Sequence, residues 1–405
     1  MLQHGLMMVV FNILMGVFNY LYQLSMGIML TPAQYGTLYS LIALFTIITV
    51  LSQTIQTSIT KFASRSKGRG KPGEVAYLWR ASMKWTLLAG LATFGFLALL
   101  SPWLLRFLSI DNYWYALILF AALITAFAQP VTNGTLLGLQ RFLPLGFSGV
   151  LSTFSKLVLA VIFVRLGFGI YGGLLPYLLS ALIIFFVTMY FLRDVGRVKR
   201  EKVQLGELFQ YAGLALLAIT SFMMLTNLDV ILVKHYLSPE STGNYSVVSV
   251  LGKIAMFIPA GIVVAMFPKT SELFENGGSH RPVLVRSIIF TLILSGAVVI
   301  AYYLFPDFIT NLLFRGRYPL AGPYLFKYAT AMMFFALSFL LMNYLLSLNR
   351  TRVAYSLLGA LLLQVVLIVF FHSDIAQIVN MMLISGIASL VFMIPFYFKR
   401  EVKKP

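Results

Sequence analysis

The amino-acid sequence predicts an all-α integral membrane protein with twelve transmembrane helices. Two observations support this fold class. Of the 405 residues, 60% are hydrophobic and 10% are charged, whereas a soluble surface needs roughly a quarter of charged residues. Apolar runs also follow one another along nearly the whole chain, and each has the length of about 20 residues that a helix needs to cross the bilayer core.

The predicted spans are separated by short connections that contain charged, Pro or Gly residues. In chain order the spans cover residues 6–30, 36–60, 82–104, 113–137, 143–164, 170–192, 209–236, 242–267, 285–305, 322–347, 353–371 and 374–397.

Basic residues are concentrated in every second connection. These alternate connections contain 22 Lys and Arg, and the opposite ones contain 5. Because basic residues are retained on the cytoplasmic side, the asymmetry places both termini in the cytoplasm. The net charge of +18 therefore reports topology and contact with anionic lipids. A nucleic-acid partner is not expected, because the basic residues are dispersed through short loops.

An internal duplication is visible in two pairs of turns. The turn after the first span reads Leu-Thr-Pro-x3-Gly from Leu30, and the turn after the seventh reads Leu-Ser-Pro-x3-Gly from Leu237. The turns that end at Arg141 and Arg350 match at nearly the same offset, 209 residues against 207. We therefore predict two six-helix lobes, 1–203 and 204–405, with 193–204 as the linker. Parallel repeats of this kind carry a substrate site between the lobes.

Four motifs resemble one known family. They are the Leu-[Thr/Ser]-Pro-x3-Gly turn, Leu139–Phe142, the run from Asn227 to Lys234, and the run from Met266 to Glu272. Their order resembles the polysaccharide-transport branch of the multidrug/oligosaccharidyl-lipid/polysaccharide (MOP) exporter superfamily. This resemblance implies a MATE-like fold that moves a lipid-linked oligosaccharide outward by alternating access, in the cytoplasmic membrane of a prokaryote. It also implies polysaccharide polymerase or assembly proteins as partners.

Polar side chains form a stripe along the second span, where Thr46, Thr49, Gln53, Gln56, Thr57 and Thr60 share one helical face. Asn19 and Gln23 form a sparser stripe on the first span. Two interpretations remain open. The stripes line a cavity for a hydrophilic sugar, or they join helices through hydrogen bonds worth about 0.6 kcal/mol each.

Two lysines lie deep in predicted spans, Lys156 in the fifth and Lys253 in the eighth. An ionisable residue at such depth costs roughly 2.5–3.5 kcal/mol on insertion scales, so it is expected to face a cavity or a partner. One ammonium from each lobe suits a pyrophosphate substrate. Lys327 is close to a span end, where its side chain can reach the interface.

Asp229 is an acidic residue within the seventh span, which is adjacent to the span that contains Lys253. It is either a structural ion-pair partner of Lys253 or a residue that couples transport to H+ or Na+. Lys61 and Arg141 border the cytoplasmic mouth. Membrane topology is the first explanation for their positive charge, and recruitment of an anionic headgroup is the second.

Other classes of protein fit less well. A membrane-embedded glycan polymerase or glycosyltransferase needs acidic residues in a large loop, and the sequence contains no catalytic motif. We therefore expect no enzyme. A cation-coupled multidrug antiporter needs buried carboxylates, and the six spans of the first half contain none. No cofactor or metal site is expected, since Cys is absent and the four His are scattered.

Overall fold

The computed structural model describes residues 2–199, 201 and 212–398, apart from the side chains of residues 2–6, 51, 53, 54, 212 and 275. Within these residues the regular elements are helices. They are α1 (Leu2–Met29), α2 (Pro32–Thr49), α3 (Leu51–Gly68), α4 (Pro72–Phe107), α5 (Tyr113–Gly138), α6 (Phe142–Arg165), α7 (Ile170–Phe191), α8 (Ala212–Leu225), α9 (Leu228–Tyr236), α10 (Pro239–Gly252), α11 (Ile254–Phe257), α12 (Ala260–Glu275), α13 (Arg281–Leu304), α14 (Pro306–Phe314), α15 (Gly322–Ser347), α16 (Val353–Phe370) and α17 (Ile375–Phe398).

Ten helical segments of the described chain are long and apolar enough to cross a membrane, with α10–α12 forming one of them. The pair α8 and α9, bent by 40°, makes an eleventh span if it is counted as one. The protein is therefore an all-α, multi-pass membrane protein.

The predicted second span, 36–60, is not one continuous helix in the structure. It is interrupted at Val50, between α2 and α3, although the backbone there keeps helical dihedral angles (φ −56°, ψ −36°). The hydroxyls of Thr46, Thr49 and Ser52 donate to backbone carbonyls three or four residues earlier at 2.6–3.1 Å, and the bond of Ser52 spans the interruption. Such back-bonding competes with the helical hydrogen bonds and bends helices.

The chain divides into two compact units, Met1–Gln210 and Tyr211–Pro405. Part of the predicted linker belongs to the first unit. Val195 is buried in an apolar cluster of that unit, and the backbone amide of Glu201 donates to the carbonyl of Gly73. The predicted boundary at residues 203 and 204 lies outside the described residues.

The helices of each unit pack in the same pattern. In the first unit the buried helix α5 contacts α3, α4 and α7, and α6 packs against α1 and α7. In the second unit the buried helix α15 contacts α10–α13 and α17, and α16 packs against α8 and α17.

Small residues allow the close approach of α3 and α5. A Cβ atom added to Gly134 would lie 2.7 Å from the carbonyl oxygen of Gln56, and one added to Gly138 would lie 2.6 Å from the Cβ of Ala63. The four-residue spacing of the two glycines is the packing motif typical of membrane helices. This contact holds the polar helix α3 against the centre of its unit.

The repeated turns have the same geometry in both units. Thr31 and Ser238 each cap a helix by accepting a hydrogen bond from the backbone amide three residues later. Gln140 and Asn349 both adopt a left-handed backbone conformation with φ 59°, which ends α5 and α15 in the same way. The sequence matches therefore correspond to equal local structures.

Candidate functional site

A polar cavity of about 330 Å³ lies within the first unit. It is formed by α2, α3, α5, α6 and α7, and its polar lining residues are Thr49, Ser52, Thr125, Gln129, Asn133, Ser152, Lys156, Tyr177 and Ser180. Hydroxyl and amide groups are costly inside a membrane unless they are hydrogen-bonded or hydrated. A cavity with this lining is suited to a hydrophilic ligand.

Lys156 brings a positive charge to this cavity. Its Nζ donates to Oδ1 of Asn19 at 2.6 Å and lies 4.7 Å and 5.1 Å from the ring centroids of Tyr177 and Tyr22. The amide oxygen and the two π faces stabilise the ammonium. None of the ion pairs recorded for the described residues includes Lys156, so no neighbouring carboxylate neutralises this charge.

The two aromatic rings are themselves held in place. Tyr22 is fully buried and its hydroxyl donates to the carbonyl of Gly173 at 2.8 Å, which ties α1 to α7. The rings of Tyr22 and Tyr177 meet edge to face at 5.7 Å, and Tyr177 meets Phe45 in the same way at 5.6 Å. Packing and hydrogen bonding therefore position both rings beside the ammonium.

Among the predicted residues of the first lobe, the structure brings together Asn19 and Lys156, and Thr49 of the stripe on the second span lines the same cavity. Gln23 accepts a hydrogen bond from Tyr35 at 3.4 Å. Gln56 is half-buried on α3 and is not among the residues that line the cavity. The side chain of Gln53 lies outside the described residues.

The two predicted entrance residues have different environments. Lys61 is exposed on α3. Arg141 donates to Oδ1 of Asp194 and to the carbonyl of Phe191, each at 2.9 Å, and also to Oδ2 of Asp194. It therefore joins the α5–α6 turn to the end of α7. The Arg141 guanidinium lowers the pKa of Asp194 to about 2. Arg350 has the equivalent position in the second unit, where it donates to the carbonyls of Phe396 and Tyr397.

The second unit contains a buried polar cluster around Asp229. This residue is fully buried, and its Oδ2 accepts hydrogen bonds from Tyr245 at 2.8 Å and Tyr328 at 2.7 Å. Tyr328 also lies 3.0 Å from the hydroxyl of Ser249. The other carboxylate oxygen, Oδ1, has no hydrogen-bond partner within the described residues.

Lys253 lies at the break between α10 and α11, with 5% of its surface exposed. Its Nζ donates to Oδ1 of Asn227 at 3.1 Å. Asn227 itself lies at the bend between α8 and α9. The bend releases the backbone carbonyl of Leu225, which accepts a hydrogen bond from the side chain of Gln364 at 2.9 Å. The predicted Lys253 and Asp229 thus lie in one unit, each with a hydrogen-bond partner of its own.

Several residues of these two sites were not predicted from the sequence. Gln129 and Asn133 carry a signal that sequence reasoning could have used, because two amides four residues apart in a span lie on one helical face. Tyr22, Tyr177, Tyr245 and Tyr328 carry no such signal, since tyrosines are common in membrane helices. Across residues 2–199, 201 and 212–398, no group of three or more His, Asp or Glu is placed to hold a metal ion.

The chain is similar to known membrane transporters over nearly its whole length. A MATE family multidrug resistance transporter of the MOP superfamily, in an inward-facing conformation, matches with a TM-score of 0.80 at 16% identity over 94% of each chain. The lipid II flippase MurJ, in an inward closed conformation, matches with a TM-score of 0.72 at 13% identity, over 96% of this chain and 88% of that one. The Vibrio cholerae MATE transporter VcmN matches with a TM-score of 0.71 at 14% identity, over 98% and 95% of the two chains.

A membrane protein of Methanocaldococcus jannaschii, described as uncharacterized, is 24% identical over 227 residues, which are 52% of this chain and 44% of that protein. The match therefore spans less than half of the relative's length. Residues 1–274 match the model of the family described as polysaccharide biosynthesis protein. Because this match covers more than half of the chain, and because the fold is that of MOP superfamily members, the chain belongs to the polysaccharide biosynthesis protein family.

Proposed function

We propose that this protein flips a lipid-linked oligosaccharide of the polyprenyl-pyrophosphate type from the cytoplasmic to the outer leaflet, by alternating access, for cell-surface polysaccharide biosynthesis. The observation that carries the proposal is the Lys156 ammonium, which lines a hydroxyl- and amide-rich cavity and has no carboxylate partner among the described residues. A family role in polysaccharide biosynthesis and a transporter fold support the same function.

An anionic group is the ligand that such an ammonium favours. A positive charge in a water-poor site interacts strongly with an anion, because the low local dielectric constant strengthens the attraction. Asn19 and the two tyrosine rings contact the ammonium but carry no negative charge that would neutralise it. A pyrophosphate would supply the missing negative charge, while its sugar would meet the hydroxyls and amides of the cavity wall.

Lys253 is proposed as the corresponding cation of the second unit, and Asp229 as the coupling residue. The unpaired Oδ1 of the buried Asp229 is a site where a proton or Na+ would bind. Either ion would neutralise a carboxylate that two tyrosines hold in position.

The proposed topology has twelve spans, with α2 and α3 forming the second span and both termini in the cytoplasm of a prokaryote. The positive-inside asymmetry of 22 against 5 basic residues supports this orientation. The partners are the lipid-linked glycan, the bilayer and proteins of polysaccharide polymerisation and assembly. No catalytic step is proposed, because transbilayer movement by alternating access breaks no covalent bond of the cargo.

A cation-coupled multidrug antiporter is the second candidate, and the fold shared with MATE transporters favours it. Cationic cargo requires buried carboxylates, however, and the spans of the first half contain no Asp or Glu. The positive charge of Lys156 would repel such cargo.

Reconstitution in proteoliposomes distinguishes the two functions. The full chain would be tested for transbilayer movement of a radiolabelled polyprenyl pyrophosphate carrying one N-acetylglucosamine, and separately for transport of the cationic dye ethidium. We expect the sugar lipid to move between leaflets and the dye to remain outside. Dye transport without movement of the sugar lipid would replace the proposal with the antiporter, and protein-free liposomes give the background rate.

A further inference from the structure

We infer that Gln129 and Asn133 form a sugar-recognition subsite inside the first unit, which reads a hydroxyl or acetamido substituent of the cargo while Lys156 binds its anionic group. The inference rests on the proposed function and adds residues that decide which sugar is accepted.

The two amides form a pair with unused hydrogen-bonding groups. They are separated by one turn of α5, and Nε2 of Gln129 donates to Oδ1 of Asn133 at 3.1 Å. The Oε1 atom of Gln129 is buried and has no hydrogen-bond partner within the described residues. The pair therefore offers donors at the amide nitrogen of Asn133, and Oε1 of Gln129 lacks the hydrogen bond that a ligand donor would supply. A sugar hydroxyl or acetamido group, which both donates and accepts, matches this arrangement.

The remaining wall of the cavity complements a polyol. The hydroxyls of Thr49 and Thr125 donate to backbone carbonyls of their own helices, and that of Ser52 donates to the carbonyl of Thr49. Their hydrogens are thus engaged, and the oxygens are left as acceptors for the hydroxyl groups of a ligand. Tyr177 adds an aromatic surface to the same wall.

Among the residues that the structure describes, the amide pair forms no hydrogen bond between helices. Amides inside membrane proteins commonly hydrogen-bond across a helix interface, but the recorded bond of Gln129 and Asn133 lies within α5. Both residues line the same cavity as Lys156. The volume of about 330 Å³ is at the lower end of ligand pockets, roughly 300–1,000 Å³, so we infer one sugar unit near the anionic group as the occupant.

The test uses three probes that share the farnesyl pyrophosphate group and differ in the substituent of its terminal phosphate. Purified full-length protein would be titrated with farnesyl pyrophosphate, and with farnesyl pyrophosphate carrying either N-acetylglucosamine or galactose. Affinity would be measured for the wild type, Gln129→Leu, Asn133→Leu and Thr132→Val. Thr132 is the matched control, because it is a buried polar residue between the two amides on α5 and does not line the cavity.

We expect each leucine variant to weaken binding of at least one sugar-bearing probe by roughly two- to tenfold, the effect of one lost hydrogen bond. Binding of the sugar-free probe should not change, which also shows that the variant is folded. Thr132→Val should bind all probes like the wild type. Equal losses with and without the sugar, or no loss, would overturn the subsite and leave the proposed function standing. Failure of the wild type to bind any probe would overturn both.

Discussion

Lys156 on α6 donates to the side-chain oxygen of Asn19 on α1 at 2.6 Å, and this bond fixes the ammonium between two tyrosine rings. We predict that Lys156→Gln lowers movement of the sugar lipid at least tenfold, because an ammonium–phosphate hydrogen bond contributes about 1.5–3 kcal/mol. The rate would be measured in proteoliposomes with equal amounts of protein.

Lys327→Gln is the matched control for this variant. Lys327 is an exposed lysine of the second unit that donates to Asn380 at 3.3 Å, and its replacement should leave the rate unchanged. A normal rate for the double variant of Lys156 and Lys253 would contradict a phosphate-binding role for both lysines.

Asp229→Asn tests ion coupling. If Oδ1 of Asp229 binds a proton or Na+, the variant should lose the response of transport to an imposed proton or Na+ gradient, because the amide cannot take up the charge. The two tyrosine hydroxyls can still donate to the amide oxygen, so folding should be retained. Asp374→Asn is the control, since Asp374 caps a helix through Oδ1 and Asn caps equally well. An unchanged gradient response in Asp229→Asn would argue against coupling.

The arginines that close the repeated turns are predicted to stabilise each unit. Arg141→Gln should lower the melting temperature of the detergent-purified protein more than Arg350→Gln. Arg141 binds both a carboxylate and a carbonyl, whereas Arg350 binds carbonyls. The loss for Arg141 should be about 1–3 kcal/mol. Arg352→Gln, at an exposed position after the second turn, should have no effect; equal losses for all three would refute a specific role of the turns.

The pair of Arg141 and Asp194 predicts a dependence of stability on pH. Arg141 lowers the pKa of Asp194 from 3.8 to about 2, so the ionised carboxylate stabilises the folded state. The stabilisation is complete above the unfolded pKa and is lost as the pH falls towards the folded one. Asp194→Asn should therefore melt below the wild type at pH 7, by less than about 1 kcal/mol because the pair is partly exposed. The difference in melting temperature should close between about pH 4 and pH 2; a constant difference would exclude this cause.

Gly134 is predicted to set the distance between α3 and α5. Gly134→Ala should destabilise the protein by about 1–3 kcal/mol, because the new Cβ would lie 2.7 Å from the carbonyl oxygen of Gln56. Gly95→Ala on α4 is the control, since an added Cβ there meets nothing within 4 Å. Thermal unfolding of both variants measures the difference, and equal stability of the two would rule out the close contact.

For the polar candidate residues, the sequence predicts their positions in the spans but not their contacts. The position of Lys156 deep in its span could be predicted from the sequence, and so could the absence of acidic residues from that span. Its contact with Asn19 depends on how α1 packs against α6, more than a hundred residues apart in the chain. In the stripe on the second span, Thr46, Thr49 and Thr60 donate their hydrogens to their own helix, and Thr49 also lines the cavity.

The sequence by itself determined the membrane location, the all-helical class, the order of the helices and the family resemblance, because hydrophobic length and charge asymmetry act locally along the chain. The family match and the fold confirm the class and the resemblance. Only the tertiary structure decided which polar groups meet. It placed Gln129 and Asn133 with Lys156 in one cavity, and it gave Asp229 two tyrosines from α10 and α15. The physical reason is that a polar group buried in a membrane protein takes its partners from neighbouring helices, and those neighbours are set by packing over long sequence separations.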